Sequence, residues 1–156
     1  MSRPLLRHAL ATLSYRAGKT FRDAPSDFAN FKASDTSRTP AEILAHMTDL
    51  MDWAVSLANG AEKWNNSAVG EWEAGIERFF ASAQTFDDRL CAPEALGCRE
   101  EELLQGPLAD ALTHTGQIAM LRRMAGAPVR GENYRRAEIA AGRVGAAQAK
   151  PRREFD

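Results

Sequence analysis

The chain has 156 residues and a mass of 17.1 kDa, which suits a single domain with a core of its own. Hydrophobic residues make up 44% of it, charged residues make up 26%, and the formal net charge is only −1. These values are typical of a soluble globular protein, and they argue against a surface that coats nucleic acid or an anionic membrane. We therefore expect one domain with no nucleic-acid partner and no membrane partner.

The first part of the chain predicts a helix followed by a long loop. Apolar side chains recur at helical spacing in the first helix, at Leu5, Leu6, Ala9, Leu10 and Leu13. The stretch from Phe21 to Arg38 is rich in Asp, Ser, Asn and Pro, a composition typical of loops. Its phenylalanines are expected to hold the loop against the body of the protein.

A second helix is predicted to begin at residue 39. Thr39 is a suitable N-cap, Pro40 suits the first helical position, and Glu42 completes a Thr-x-x-Glu capping box. Asn59-Gly60 marks the expected end, because glycine commonly terminates helices. The inner stripe of this helix is formed by Ile43, His46, Leu50, Trp53, Ala54 and Leu57, so we expect His46 to face the core.

Two more helices and a tail follow. The third helix is predicted over residues 69–90, with Trp72, Ile76, Phe79, Phe80 and Ala83 facing inward. The fourth is predicted over residues 99–124, with a kink or restart at Gly106-Pro107, because proline cannot continue the helical hydrogen bonding. Its inner face carries Asp110, His114, Gln117, Ile118 and Leu121. Beyond it, only residues 134–141 have short helical potential.

Four amphipathic helices, no convincing alternating strand and no internal repeat predict an all-α protein, a four-helix bundle. The bundle is expected to span residues 1–128, and residues 129–156 are expected to form an irregular tail that packs on it or extends from it. From Arg122 onward there are nine Lys or Arg and four Asp or Glu, whereas residues 71–102 are strongly acidic. We expect acidic neighbours to neutralise the tail, with anion binding as the alternative.

The positions of the histidines predict a metal site. Asp110 and His114 are four residues apart, so they share one face of the fourth helix. If the second helix packs against the fourth, His46 can complete a set of three ligands. Two imidazoles and one carboxylate suit a divalent transition metal and leave coordination positions open for water or substrate. His46, Asp110 and His114 are therefore the predicted metal ligands.

Two segments, AEILAHMTDLMDWAVSLANG and DALTHTGQIAMLRRMAGAP, resemble the DinB/YfiT-like superfamily of four-helix-bundle metalloenzymes. That superfamily has a His in its second helix and a His-x-x-x-His pair in its fourth, followed by Gly-Gln. The resemblance covers about residues 5–128 and implies that His46 and His114 are metal ligands. Asp110 stands where the first His of the pair is usual, so the implied site is a variant with one carboxylate.

The resemblance also implies an activity. It suggests a metal-dependent transferase or hydrolase that uses zinc or nickel to activate a water or a low-molecular-weight thiol, such as mycothiol or bacillithiol. It further implies a small-molecule substrate and a homodimer. Two other functions stay open: a non-catalytic metal- or small-molecule-binding stress-response protein, and a dimeric scaffold with a degenerate metal site.

The roles of two side chains near the predicted site also stay open. Instead of binding metal directly, Asp110 could hold His114 through its other ring nitrogen or accept helix-terminal amides. Gln117 could reach a metal-bound water or serve helix packing. Glu42 is explained by its capping role, and His8 lies off the apolar stripe of the first helix, so a surface position is expected.

The remaining signals concern the cellular compartment. The amino-terminal apolar run is short and interrupted by Arg7 and His8, unlike a signal peptide, and no stretch approaches the ~20 apolar residues of a membrane span. Cys91 and Cys98 form no CxxC motif, so no disulfide framework is expected. These features lead us to expect a cytoplasmic protein.

Overall fold

Four long helical segments form the protein. The computed structural model describes residues 3–155, so residues 1, 2 and 156, at the ends of the predicted bundle and tail, lie outside it. The helices are α1 (Arg3–Phe21), α2 (Pro40–Ala58), α3 (Trp72–Cys91), a short α4 (Glu100–Leu103) and α5 (Ala109–Met124). Both α1 and α2 pack against α3 and against α5. The all-α prediction is confirmed, and none of the described helices has the length and apolar character needed to cross a membrane.

The start and end of α2 follow local signals. Thr39 Oγ1 accepts a hydrogen bond from the Glu42 amide at 3.2 Å, and Glu42 Oε2 accepts one from the Thr39 amide at 2.7 Å. These two bonds form the predicted capping box. At the other end Gly60 adopts φ +70°, a left-handed conformation that glycine enters without strain. Gly97 lies directly against this turn and donates its amide to Ala58 O at 2.8 Å.

The fourth helical segment is irregular where the sequence predicted an interruption. Residues Leu104–Leu108 form a π-helical turn that contains Pro107 and joins α4 to α5. Proline lacks an amide hydrogen and collides with the preceding turn, so the wider turn accommodates it without ending the helix. Gly106 in this turn lies against the Trp53 ring, where even a Cβ would be 3.4 Å from the ring carbons. Asp110 follows this π-helical turn and lies in the first turn of α5.

The core lies between the helices and includes the loop that follows α1. Phe28, in a 3-10 turn over Phe28–Asn30, is 1% exposed, and its ring meets Trp72 edge-on. Phe21 closes the end of α1 against Phe79 and Phe80. The prediction that loop phenylalanines hold this segment to the body is therefore confirmed for Phe28. Phe21 itself belongs to the last turn of α1.

The segment between α2 and α3 is longer than predicted, because α3 starts at Trp72 instead of residue 69. Its path is fixed by the buried carboxylate of Asp49 on α2. Asp49 accepts hydrogen bonds from the amide of Ser67 at 2.9 Å and from Arg78 Nη2 at 2.9 Å. Because these partners are distant in sequence, no local signal could have placed this segment. It brings Trp64 over the surface of α2.

The carboxy-terminal tail packs on α1. Two short strands, β1 (Gly131–Glu132) and β2 (Glu154–Phe155), pair antiparallel, and a 3-10 turn spans Tyr134–Arg136. The Glu132 side chain is buried and accepts hydrogen bonds from Tyr15 Oη at 2.7 Å and Lys19 Nζ at 2.9 Å. Lys19 also binds Glu154 at 2.8 Å. The strand pair was not predicted, because a two-residue strand leaves no periodic pattern in the sequence.

The basic residues of the tail are balanced in part within the tail itself. Arg143 and Arg152 both form ion pairs with Glu138. Val144 is completely buried and joins the core, so this part of the tail is integrated into the fold. Cys91 and Cys98 are free thiols, in agreement with the expectation of no disulfide between them.

Candidate metal centre

The packing of α2 against α5 brings the three predicted ligands together. His46 lies on α2, and Asp110 and His114 lie one turn apart on α5. Each offers one donor atom within 4.8 Å of the other two. His46 Nε2 is 3.4 Å from Asp110 Oδ2, and His114 Nε2 is 3.4 Å from Asp110 Oδ1. The Asp110 carboxylate therefore lies beside the Nε2 atom of each imidazole.

These separations are compatible with a shared tetrahedral metal ion. With metal–ligand bonds near 2.1 Å and a tetrahedral angle, neighbouring ligand atoms are about 3.4 Å apart. A nitrogen–oxygen hydrogen bond is normally about 2.7–3.2 Å long. The spacing of Asp110 from both imidazoles thus matches a shared ion. The two ring centroids, 4.7 Å apart with nearly perpendicular planes, also allow both Nε2 atoms to converge on one point.

Gln117 contacts the ring nitrogen of His114 that does not face Asp110. Gln117 Oε1 lies 2.7 Å from His114 Nδ1, one turn along α5. A carbonyl oxygen accepts the proton of Nδ1, and the neutral ring then presents the lone pair of Nε2. Asp110 lies against the other ring nitrogen of His114, Nε2. The contact of Gln117 with His114 is a role that the sequence did not suggest.

An aromatic side chain covers the second histidine. The Trp64 ring lies 5.5 Å from the His46 ring, and it meets the Trp53 ring edge-on at 5.9 Å. The Trp64 indole donates a hydrogen bond to Asn66 Oδ1 at 2.9 Å. His46 itself is 23% exposed at its side chain, so it lies at the edge of the bundle instead of facing the core as predicted. Trp64 shields the side of His46 that the helices leave open.

Electrostatics favour the neutral form of His46. Burial lowers the pKa of this imidazole most, and the nearby His114 and Arg38 lower it further by charge repulsion, while Asp110 acts in the opposite direction. A neutral imidazole is the form that binds a metal ion. Asp110 is 46% exposed at its side chain, so its carboxylate is in contact with water.

An open cleft adjoins the candidate centre. It has a volume of about 440 Å³ and is lined by Ser37, Arg38, Ile43, His114, Gln117, Met120 and Leu121. His114 thus borders both the cluster and the cleft. A small molecule in the cleft would lie beside the candidate metal ligands. Clefts that combine an apolar lining with a few polar groups are the usual form of a ligand site.

The sequence predicted the three candidate ligands that the structure brings together but missed two of their neighbours. Trp64 lies in a segment without helical periodicity, and Arg38 lies in a polar loop. Neither pattern predicts a position beside the candidate site. Glu42 performs the capping role expected of it, and His8 is exposed on α1. Trp72 and Tyr134 pack away from the cluster, against Phe28 and Tyr15.

Comparison with known proteins identifies no relative. No protein-family profile matches the chain, and neither a curated protein nor a solved structure is significantly similar to it.

Proposed function

We propose that His46, Asp110 and His114 bind one divalent transition-metal ion, zinc or nickel, and that the protein is a metal-dependent enzyme acting on a small molecule. One observation carries this proposal. Gln117 leaves the Nε2 lone pair of His114 facing an oxygen of Asp110. Two acceptor atoms that face each other repel unless a proton or a metal ion lies between them. Because His46 supplies a third donor at the same point, one metal ion can satisfy all three groups.

The proposed chemistry is that of the DinB-like superfamily, which the two helical segments resemble. A bound zinc or nickel ion would lower the pKa of a water or of a low-molecular-weight thiol, giving a nucleophile at neutral pH. The chain would contribute orientation and shielding: Gln117 orients His114, and Trp64 covers His46. The adjoining cleft would admit the second reactant, in keeping with a transferase or a hydrolase.

A second candidate function follows from the position of Glu42. This acid lies one turn before His46, but its carboxylate is bound to the Thr39 amide as part of the capping box. It is therefore not free to act as a general base at the cluster. This favours, as the alternative, a metal- or small-molecule-binding protein without turnover, such as a stress-response protein or a dimeric scaffold with a degenerate site.

The deciding experiment is elemental analysis of untagged protein purified without chelators. We expect about one zinc or nickel per chain in the wild type, and loss of that metal in His46→Ala and His114→Ala. His8→Ala is the matched control, because His8 is exposed on α1 and lies outside the cluster. Circular dichroism would check that each variant remains helical.

Two results would contradict the metal site. One is wild-type protein that is free of metal and takes up neither added zinc nor added nickel. The other is unchanged metal content in His46→Ala or His114→Ala. If metal is confirmed, assays of thiol transfer and hydrolysis would separate the enzyme from the non-catalytic alternative. Sedimentation analysis of the same samples would test the homodimer that the resemblance implies.

A further inference from the structure

The cleft beside the metal centre combines three kinds of side chain. His114 and Gln117 belong to the candidate centre, Ile43 and Leu121 supply apolar surface, and Arg38 supplies a positive charge. Met120 also lines the cleft and is 59% exposed, a large value for an apolar residue. Met120 therefore adds a flexible apolar side chain to the rim of the cleft, beside the buried Ile43 and Leu121.

Arg38 has the properties of a ligand-binding cation. It is exposed, and within residues 3–155 its guanidinium forms no hydrogen bond or ion pair. The two acids closest to it in sequence are Asp35, which makes no ion pair with it, and Glu42, whose carboxylate is already bound to Thr39. The guanidinium therefore keeps its five donors, which suit a carboxylate or another oxyanion.

The backbone around Arg38 is held on both sides. Before it, Ser37 Oγ donates to Ser34 O at 2.9 Å and accepts from the Ser34 amide at 3.0 Å. After it, the capping box fixes Thr39. A side chain carried by a fixed segment loses less conformational freedom when it binds a ligand, so Arg38 is partly preorganised.

The metal and Arg38 would select different ends of a ligand. A thiophilic ion such as zinc prefers a thiolate to a carboxylate, whereas the Arg38 guanidinium pairs with a carboxylate. A ligand with an acidic group is therefore expected to direct that group to Arg38 and its other end to the metal. The apolar side chains of Ile43, Met120 and Leu121 would contact the part between.

We propose that this cleft binds small acids: molecules with a carboxylate for Arg38, an apolar body, and a thiol or comparable donor that reaches the metal centre. The inference rests on the proposed function, because the metal anchors one end of the ligand. It adds to that function the chemical class of the substrate and a residue that selects it.

The test uses the full chain loaded with cobalt(II) in place of the native metal. The probes are mercaptopropionate, mercaptohexanoate and mercaptooctanoate, each compared with the mercapto-alcohol of the same chain length. Thiolate binding to cobalt gives a charge-transfer absorption that reports occupancy directly. The comparison between acid and alcohol isolates the carboxylate, and the series finds the chain length that spans the cleft.

We expect the best acid to bind the wild type about tenfold more tightly than its alcohol, since charge-assisted hydrogen bonds contribute this much. Arg38→Gln should remove that preference without changing alcohol binding, and Arg38→Lys should retain part of it. Lys32→Gln is the matched control, because Lys32 is an exposed cation of the same loop that does not line the cleft. It should keep the full preference.

The following results would contradict the inference. Protein that binds cobalt but takes up no acid, or shows no preference for acids at any chain length, contradicts the acid-binding cleft and leaves the metal site intact. An acid preference that persists in Arg38→Gln also contradicts it. Protein that does not bind cobalt contradicts both the metal site and the inference that rests on it.

Discussion

Gln117 accepts a hydrogen bond from His114 across one turn of α5, with 2.7 Å between Oε1 and Nδ1. This bond occupies Nδ1 of His114, and the other ring nitrogen, Nε2, faces Asp110. Groups that orient metal-binding histidines in this way typically affect metal affinity by a factor of about ten to one hundred. Gln117 is exposed enough to be replaced without disturbing the core.

The first prediction concerns this positioning residue. Gln117→Ala should weaken zinc binding by about ten- to one hundredfold while the protein stays folded, because His114 then loses the partner that fixes its ring. The measurement is a competition titration with a zinc-binding dye. Gln84→Ala is the control, since Gln84 is another exposed helical glutamine with a side-chain hydrogen bond, to Asp88 at 2.9 Å. Equal zinc affinity in both variants would show that Gln117 does not position His114.

The features that the sequence predicted depend on neighbouring residues, whereas those it missed depend on contacts between residues far apart in the chain. The capping box of Thr39 and Glu42 and the turn at Gly60 depend on residues a few positions apart, so they were predicted correctly. The interruption at Pro107 was also predicted, but not its π-helical form, which lets the helix continue. In contrast, the late start of α3 depends on Asp49, from another helix, and was missed.

The same distinction holds for the candidate site. The spacing of Asp110 and His114 on one helix, together with the family resemblance, was enough to select three residues that the structure brings together. The exposure of His46 could not be predicted, because it depends on how far Trp64 reaches across α2. The contact between Gln117 and His114 could have been predicted, because residues three positions apart on a helix are neighbours.

The second prediction uses Trp64 as a reporter of the centre. Its ring lies 5.5 Å from the His46 ring, so metal binding at His46 should change the tryptophan emission of the metal-free protein. Trp64→Phe should remove most of that change. Trp72→Phe should keep it, because Trp72 packs against Phe21 and Phe28. The measurement is a fluorescence titration with zinc, and a full response in Trp64→Phe would contradict the arrangement of this segment over His46.

The third prediction concerns the carboxylate. Asp110→His should bind zinc more tightly than the wild type, because it restores the three-histidine set implied by the family resemblance with a ligand of suitable softness. Asp110→Ala should bind more weakly, since only two donors remain. Isothermal titration at constant pH would measure both. A sharp loss of affinity in Asp110→His would show that this position does not accept an interchangeable ligand.

The fourth prediction concerns pH. In the folded, metal-free protein the pKa of His46 is below its ordinary value, mainly through burial, so the unfolded chain binds the proton more readily. The contribution of His46 to the free energy of unfolding is therefore fully present above about pH 6.5 and is lost as the pH falls toward the lower pKa of the folded state. Urea unfolding of chelator-treated protein should show this decline on acidification.

Two histidine variants identify the source of that decline. His46→Gln should reduce the slope of stability against pH over this window, because it removes the group whose pKa differs between folded and unfolded states. His8→Gln should keep the wild-type slope, since His8 is exposed on α1. Identical slopes in the wild type and His46→Gln would exclude His46 as the titrating group.

The fifth prediction concerns the attachment of the tail to α1. Lys19 is 7% exposed at its side chain and its partner Glu132 is 0% exposed, so Lys19→Met leaves a buried carboxylate with Tyr15 as its remaining partner. Removing one member of a buried pair commonly costs about 3–5 kcal/mol. We expect a loss of unfolding free energy of about 3 kcal/mol by urea denaturation, whereas Lys150→Met, on an exposed lysine, should change it by about 0.5 kcal/mol or less. A similarly small loss in Lys19→Met would mean that Glu132 takes up a proton or reaches water in the variant, and that the tail is held mainly by its apolar contacts.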